Sequence, residues 1–180
     1  MNYNLKGLLL LDNRLNISQK GKRIKRYQKY YSINIKDLCK SGDLNGIKWK
    51  NKYNYEFKTG LVDFSARSRQ FEELKMMDYA ARLGHLEIVK WLHINRTEGC
   101  TYLAMDEAAC YGHLEVVKWL HYNRSEGCSK RAMDIAAVGG KLEVVKWLHY
   151  NRSEGCTTDA IYWAEYFEHS EVVNFLKNTF

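Results

Sequence analysis

Histidine stands at His85, His93, His113, His121, His149 and His169, and cysteine at Cys100, Cys128 and Cys156. Both residue types ligate transition metals, so the first chemistry to consider is zinc. A zinc site needs its ligands within ~2.0–2.3 Å of one point. These residues instead recur every 28 positions, as in 93, 121, 149 and 100, 128, 156. Recurrence of that kind spreads equivalent side chains along an axis and does not gather them. No C-x-x-C and no H-E-x-x-H is present. The periodic histidines and cysteines are therefore expected to pack, with no metal and no cofactor.

Other constellations are equally poor in catalytic chemistry. Gly139-Gly140-Lys141 lacks both the spacing of a phosphate loop and its following Ser or Thr. Asp106 and Glu107 are neighbours on a predicted helix and face apart, so they do not form a carboxylate pair. No Ser/His/Asp or Cys/His arrangement stands out from the periodicity, and an enzyme is not expected. One rival remains at residues 20–31, KGKRIKRYQKYY, running from Lys20 to Tyr31. Six Lys and Arg interleaved with three Tyr could hold phosphates and stack bases, or serve as a nuclear address. The plainer reading is a solvated basic helix face.

Charge and composition narrow the class. Residues 1–60 carry 14 Lys and Arg against 4 Asp and Glu, a net +10. Residues 61–180 carry 14 against 17, a net −3, so the basicity belongs to the N-terminal third. No stretch reaches the ~18 apolar residues of a membrane span. The four leucines at residues 8–11 meet Asp12 at once and are too short for a signal-peptide core. An intracellular, cytoplasmic protein is expected, with the nucleus left open by residues 20–31. The sequons at Asn16, Asn95, Asn123 and Asn151 then carry no glycans. Five cysteines fit a reducing compartment. Layers of helices lie ~8–10 Å apart, beyond the ~7 Å Cα separation of a disulfide, so Cys100, Cys128 and Cys156 are expected as separate thiols.

The elements that position these residues are repeats. Residues 76–100, 104–128 and 132–156 read MMDYAARLGHLEIVKWLHINRTEGC, AMDEAACYGHLEVVKWLHYNRSEGC and AMDIAAVGGKLEVVKWLHYNRSEGC. Units 101–128 and 129–156 agree at 21 of 28 positions. A fixed period of this length predicts a stacked repeat array. Thr101, Ser129 and Thr157 open units as N-cap residues. A first helix is expected near residues 101–110, ended by Gly112, and a second near 114–122. Glu115, Lys118 and Tyr122 make a polar stripe on the second helix, while Leu114, Val116, Val117, Trp119 and Leu120 cover the rest. Trp119 and Trp147 are expected in the middle of the stack.

The motif AAxxGHLEVVKWL at residues 80–92, 108–120 and, with Lys141 for His, 136–148 resembles the AAxxGHxxVVxxLL signature of ankyrin repeats. The resemblance is strong over residues 73–180, weak over 32–72 and absent before. The usual unit is ~33 residues, so the loop that carries the β-hairpin finger must be shortened here. The TPLH tetrapeptide of the family is replaced by Lys75-Met76-Met77-Asp78, Leu103-Ala104-Met105-Asp106 and Arg131-Ala132-Met133-Asp134. The compact WLHxNRxEGC form is similar to ankyrin proteins encoded in large numbers by giant DNA viruses of amoebae. The fold implied is an all-α ankyrin solenoid of stacked helix-turn-helix units with short loops. Its expected parts are a basic segment 1–31, a degenerate repeat 32–72 with an insertion around residues 50–60, repeats 73–100, 101–128 and 129–156, and a terminal capping repeat 157–180.

The function implied is protein binding by a monomeric module, with a host protein as partner if the source is viral. Nucleic acid bound through residues 20–31 is the alternative, and no membrane partner is expected. Units 101–128 and 129–156 differ at Thr101/Ser129, Tyr102/Lys130, Leu103/Arg131, Glu107/Ile135, Cys110/Val138, Tyr111/Gly139 and His113/Lys141. All lie on the first helix or the turn after it. In ankyrin proteins those helices line the concave face that grips partners. The resemblance thus implies a binding surface of Tyr79, Arg82, Leu83, Tyr102, Glu107, Cys110, Tyr111, Lys130, Arg131, Ile135, Val138, Trp163, Tyr166 and Phe167. It is rich in Tyr, Trp and Arg, the types that dominate binding hot spots.

Overall fold

A computed structural model of the chain describes residue 30, residues 33–53 and residues 75–179, with only the backbone at 52 and 53. The basic segment 20–31, apart from Tyr30, and most of the expected insertion around 50–60 lie outside the described residues. The chain divides into two compact units, Met1–Gly60 and Leu61–Phe180.

The first unit contains α1 (Ile35–Lys40) and α2 (Leu44–Tyr53). Asn34 caps α1 by accepting the Asp37 amide at 2.8 Å. Asp43 serves α2 in the same way through the Gly46 amide at 2.9 Å. Ile35, Leu38, Cys39, Ile47 and Trp49 are buried together with Tyr30, whose hydroxyl donates to Asp43 at 3.3 Å.

The second unit holds α3 (Met76–Arg82), α4 (Leu86–Asn95), α5 (Leu103–Cys110), α6 (Leu114–Asn123), α7 (Arg131–Val138), α8 (Leu142–Asn151), α9 (Thr158–Tyr166) and α10 (Ser170–Thr179). Each odd-numbered helix packs on the even-numbered helix that follows it. The first helices also pack in a row, α3 on α5, α5 on α7 and α7 on α9, and the second helices form a looser parallel row. This is an all-α ankyrin-type solenoid, and among the described residues there is no strand.

Side-chain size explains the two rows. First helices bury alanine pairs, Ala80–Ala81, Ala108–Ala109 and Ala136–Ala137. With so little side chain between them, neighbouring backbones approach closely. Second helices bury one apolar face at i, i+1 and i+4: Ile88, Val89 and Leu92, then Val116, Val117 and Leu120, then Val144, Val145 and Leu148. Trp119, like Trp147, is half-buried, not central as the pattern suggested. Its ring stands edge-on to His93 of the preceding repeat at 5.2 Å.

The turn within each repeat closes on a left-handed glycine. The Gly112 amide bonds the Ala109 carbonyl at 3.0 Å and the His113 amide bonds Ala108 at 2.8 Å. The first unit shows the same pattern around Gly42, with bonds of 3.0 and 2.8 Å to Cys39 and Leu38. Glycine is also demanded by space, since a Cβ added at Gly140 would lie 2.7 Å from His169 Nδ1 of the next repeat. In the last repeat this slot holds Glu168, at φ 60°.

Two boundaries differ from the sequence reading. Helices α5 and α7 begin at Leu103 and Arg131, two residues into their units. The Thr101 and Ser129 hydroxyls still accept those first amides, at 3.2 Å each, from one residue outside the N-cap position. Thr157 is itself the N-cap of α9.

Candidate functional site

The periodic polar residues tie repeats to one another. His113 Nε2 donates to the Arg82 carbonyl at 3.1 Å, and His169 Nε2 to the Val138 carbonyl at 3.0 Å. Burial holds His113 below its usual pKa, favouring the neutral ring. Arg124 Nη1 reaches Nδ1 of His93 at 3.3 Å, and Arg152 repeats this on His121. A guanidinium can only donate, so each ring accepts through Nδ1. The same arginines fork onto Glu126 and Glu154, two residues further on. The identical loop residues thus lock each repeat to the one before. Among the described residues, no three His, Cys, Asp or Glu side chains gather as a metal site.

Burial pushes the Cys100 and Cys128 thiols up to about 11, and the Cys39 thiol in the first unit to about 12. Cys100 is buried, while Cys110, Cys128 and Cys156 are half-buried, and all are free. Thiols held so far above neutrality are poor nucleophiles at pH 7.

A second lock replaces the missing tetrapeptide. Asp78 accepts the Thr101 amide at 2.8 Å and its hydroxyl at 2.9 Å. Asp106 takes the amide and hydroxyl of Ser129, and Asp134 those of Thr157. These aspartates escaped the sequence reading. Their signal is the Met-Asp pair that recurs at Met77-Asp78, Met105-Asp106 and Met133-Asp134, opposite a Thr or Ser 23 residues after each Asp.

With those groups assigned to packing, the outward positions of the first helices remain. Positions i, i+3 and i+4 of a helix share a face. On α3 with its cap they are Tyr79, Arg82 and Leu83, and on α5 with its cap Glu107, Cys110 and Tyr111. On α7 and its cap they are Ile135, Val138 and Gly139, and on α9 and its cap Trp163, Tyr166 and Phe167. The stacking of α3, α5, α7 and α9 makes these twelve positions one strip. All the expected residues in it are half-buried or exposed. Tyr102, Lys130 and Arg131 are exposed at the helix starts beside it.

The strip is chemically graded. At its first junction Arg82 donates to the Tyr111 hydroxyl at 2.8 Å, lies 5.2 Å from the ring centroid and pairs with Glu107 at 3.6 Å. Those three expected residues therefore engage one another across two repeats. The middle, Ile135, Val138 and Gly139, is apolar and low. The far end is aromatic: Trp163 meets Tyr166 at 5.6 Å and Phe167 at 6.3 Å, and Tyr162 joins from the other side at 5.1 Å. Tyr162 was not anticipated, although it occupies the 28-residue slot of Asp78, Asp106 and Asp134.

The opposite face is ordinary solvated helix. Lys90–Glu87, Lys118–Glu115 and Lys146–Glu143 pair at 2.8, 2.8 and 3.1 Å. Such exposed pairs contribute little.

A search of the curated proteins found no match to the chain. The family model described as ankyrin repeats (many copies) matches residues 77–121 and 122–176, more than half of the sequence. With its paired helices, alanine-lined first row and left-handed turns, the chain belongs to the ankyrin-repeat family.

Proposed function

We propose that this chain is a non-enzymatic protein-binding module whose contact surface is the strip along α3, α5, α7 and α9. Ankyrin repeats are as a class protein–protein interaction modules and non-enzymatic scaffolds. One observation carries the reading for this chain. Of the seven positions at which units 101–128 and 129–156 differ, 107/135, 110/138 and 111/139 lie on the strip, 101/129, 102/130 and 103/131 lie at the start of the first helix, and 113/141 follows its turn, while second helix and loop are identical. The buried residues of the two units are the same, and every position of the strip differs between them. Exposed Tyr and Trp on that strip, with the half-buried Arg82 held against Tyr111, are suited to anchoring a partner.

On this reading residues 32–72 are a degenerate first repeat, since α1 and α2 turn through Gly42 as the later pairs turn through theirs. Residues 157–180 cap the stack. The 28-residue unit, similar to those of giant DNA viruses of amoebae, makes a protein of the host cell the partner, met by a monomer in the cytoplasm. No helix among the described residues is long and apolar enough to cross a membrane. The net +10 of residues 1–60 favours one second reading, nucleic-acid association through residues 20–31. Steeply salt-dependent binding of DNA or RNA, abolished by neutralising that segment, would support it instead.

Affinity capture from an amoebal lysate tests the lead. Arg82→Ala or Tyr111→Ala should weaken capture roughly tenfold, as truncated hot spots do. Glu115→Ala and Lys118→Ala should be silent. A sensitive second helix and a silent first helix would move the contact to the opposite face and end this reading.

A further inference from the structure

The last repeat departs from the others at four slots of one surface. Tyr162 replaces the inter-repeat aspartate, Trp163 and Phe167 fill the outward positions, and Glu168 replaces the turn glycine. The rings are open to solvent, Tyr162 at 59%, Trp163 at 41%, Tyr166 at 66% and Phe167 at 49%. Contiguous exposed aromatic surface of this kind marks an interaction site.

The occupant is not another repeat of this kind. A further unit would need a carboxylate at position 162 to take its opening Thr or Ser, and Tyr162 supplies none. It would also place a His or Lys against the turn, where the Cβ of Glu168 stands. At the equivalent Gly140, a Cβ would come within 2.7 Å of His169. End-to-end stacking of a second copy meets the same two obstacles.

The earlier repeats show what these slots hold. Tyr111, in the slot of Phe167, carries the Arg82 guanidinium 5.2 Å from its centroid, and Glu107, in the slot of Trp163, pairs with it at 3.6 Å. That arginine comes from the preceding repeat. In the repeat before α9 the slot of Arg82 is Val138, so that slot supplies no guanidinium to these rings. Carboxylates are present without the internal arginine. Residues 157–180 hold Asp159, Glu165, Glu168 and Glu171 against Lys177, which pairs with Glu165 at 2.5 Å. Glu168 follows Phe167 directly in the chain, is exposed, and adopts a left-handed conformation, φ 60°, that a residue with a Cβ ordinarily avoids. Strain retained at such a place points to use.

We propose that Trp163, Tyr166 and Phe167, with the Glu168 carboxylate, form a docking site for arginine side chains of a basic, arginine-rich segment of a partner protein. The proposal rests on the protein-binding reading above and gives one end of that strip its chemistry. Arginine is favoured over lysine because its flat guanidinium stacks on a ring while its N–H groups reach a carboxylate.

The test is fluorescence anisotropy of the full chain with a labelled peptide of alternating Arg and Gly at physiological salt. Saturable binding is expected, with the matched Lys–Gly peptide several-fold weaker and an Asp–Gly peptide silent. Trp163→Ala and Phe167→Ala should weaken binding roughly tenfold. Glu168→Gly should weaken it several-fold while raising the melting midpoint, which separates loss of the site from loss of the fold. No saturable binding, equal binding of the Lys peptide, or an unchanged affinity in Trp163→Ala would overturn the proposal. So would dilution-dependent self-association that Trp163→Ala abolishes, since the occupant would then be a second copy. Partner capture sensitive to Arg82 and Tyr111 but not to Trp163 would overturn this proposal alone, and capture sensitive to neither end would overturn both readings.

Discussion

The Asp106 carboxylate accepts both the backbone amide and the hydroxyl of Ser129, 23 residues later in the next repeat. The same hydroxyl accepts the Arg131 amide at 3.2 Å, so one aspartate organises the start of α7. Asp106 is almost fully buried. Asp106→Ala would leave the Ser129 amide without its acceptor, at a cost of about 1–3 kcal/mol. Its melting midpoint should fall by several degrees, while Ser153→Ala in the exposed loop stays near wild type. Equal midpoints would show that the carboxylate does not join the repeats.

The same carboxylate gives a pH signature. Burial raises the Asp106 carboxyl above its ordinary 3.8, against the opposing hydrogen bonds from Ser129. The folded chain thus keeps this proton to higher pH than the unfolded chain does. The stabilisation is complete below the unfolded pKa and fades as pH rises through the folded value. Asp78, raised by burial against its Thr101 and Lys75 donors, acts in the same direction. Relative to Asp106→Asn, the wild type should therefore gain stability as pH falls from 7 towards 4. Thermal melts of the two proteins across that range would refute this if the wild type lost ground on acidification.

Second-helix packing makes a graded prediction. Leu120 is fully buried, Trp119 is half-buried against His93, and Lys118 is on the solvated stripe. Leu120→Ala should cost about 2–5 kcal/mol. Trp119→Ala should cost less than a core aromatic would, and Lys118→Ala about 0.3–0.5 kcal/mol. Urea unfolding checks the order, and a Trp119→Ala loss larger than that of Leu120→Ala would contradict the half-buried placement.

The period was legible because packing writes the same residues every 28 positions. Ala80, Ala108 and Ala136, or Val89, Val117 and Val145, need no structure to be read as core. The outward strip was legible for the converse reason, as the place where repeats disagree. The locks were not. Asp106 reads as an ordinary acidic residue in a first turn until Ser129 is found above it. Trp119 reads as core because the apolar positions of its helix leave only one polar stripe, whereas it is half-buried, its ring edge-on to His93 of the preceding repeat. The pairing of Arg82 with Tyr111 depends on two side chains 29 residues apart, which composition at either position does not reveal.

Thiol reactivity should report the same packing. Burial holds Cys100 and Cys128 at about 11, far above the ~8.5 of a free thiol. Alkylation requires the thiolate. Iodoacetamide at pH 8 should label both cysteines slowly in the folded chain and rapidly in denaturant. EDTA, added separately, should leave the thermal melt unchanged, because a structural zinc would have contributed folding energy. Rapid labelling of the native protein, or a melt lowered by EDTA, would place these cysteines in a different role.

Finally, the turn slot allows opposite substitutions to be compared within one array. Gly140→Ala adds a Cβ at φ 65° and 2.7 Å from His169, whose Nε2 is already committed to Val138. Backbone strain of about 1–2 kcal/mol is then joined by displacement of that ring and its hydrogen bond, about 0.5–1.5 kcal/mol more. Glu168→Gly removes strain at φ 60° in the corresponding slot and should stabilise by about 1 kcal/mol. The contrast isolates backbone conformation from contacts, because the two sites share a turn but not a neighbour. Differential scanning calorimetry should therefore show Gly140→Ala melting below wild type and Glu168→Gly above it. A destabilised Glu168→Gly would mean that the carboxylate makes an internal contact stronger than the strain it sustains. It would then be a structural cap and could not serve as an arginine acceptor.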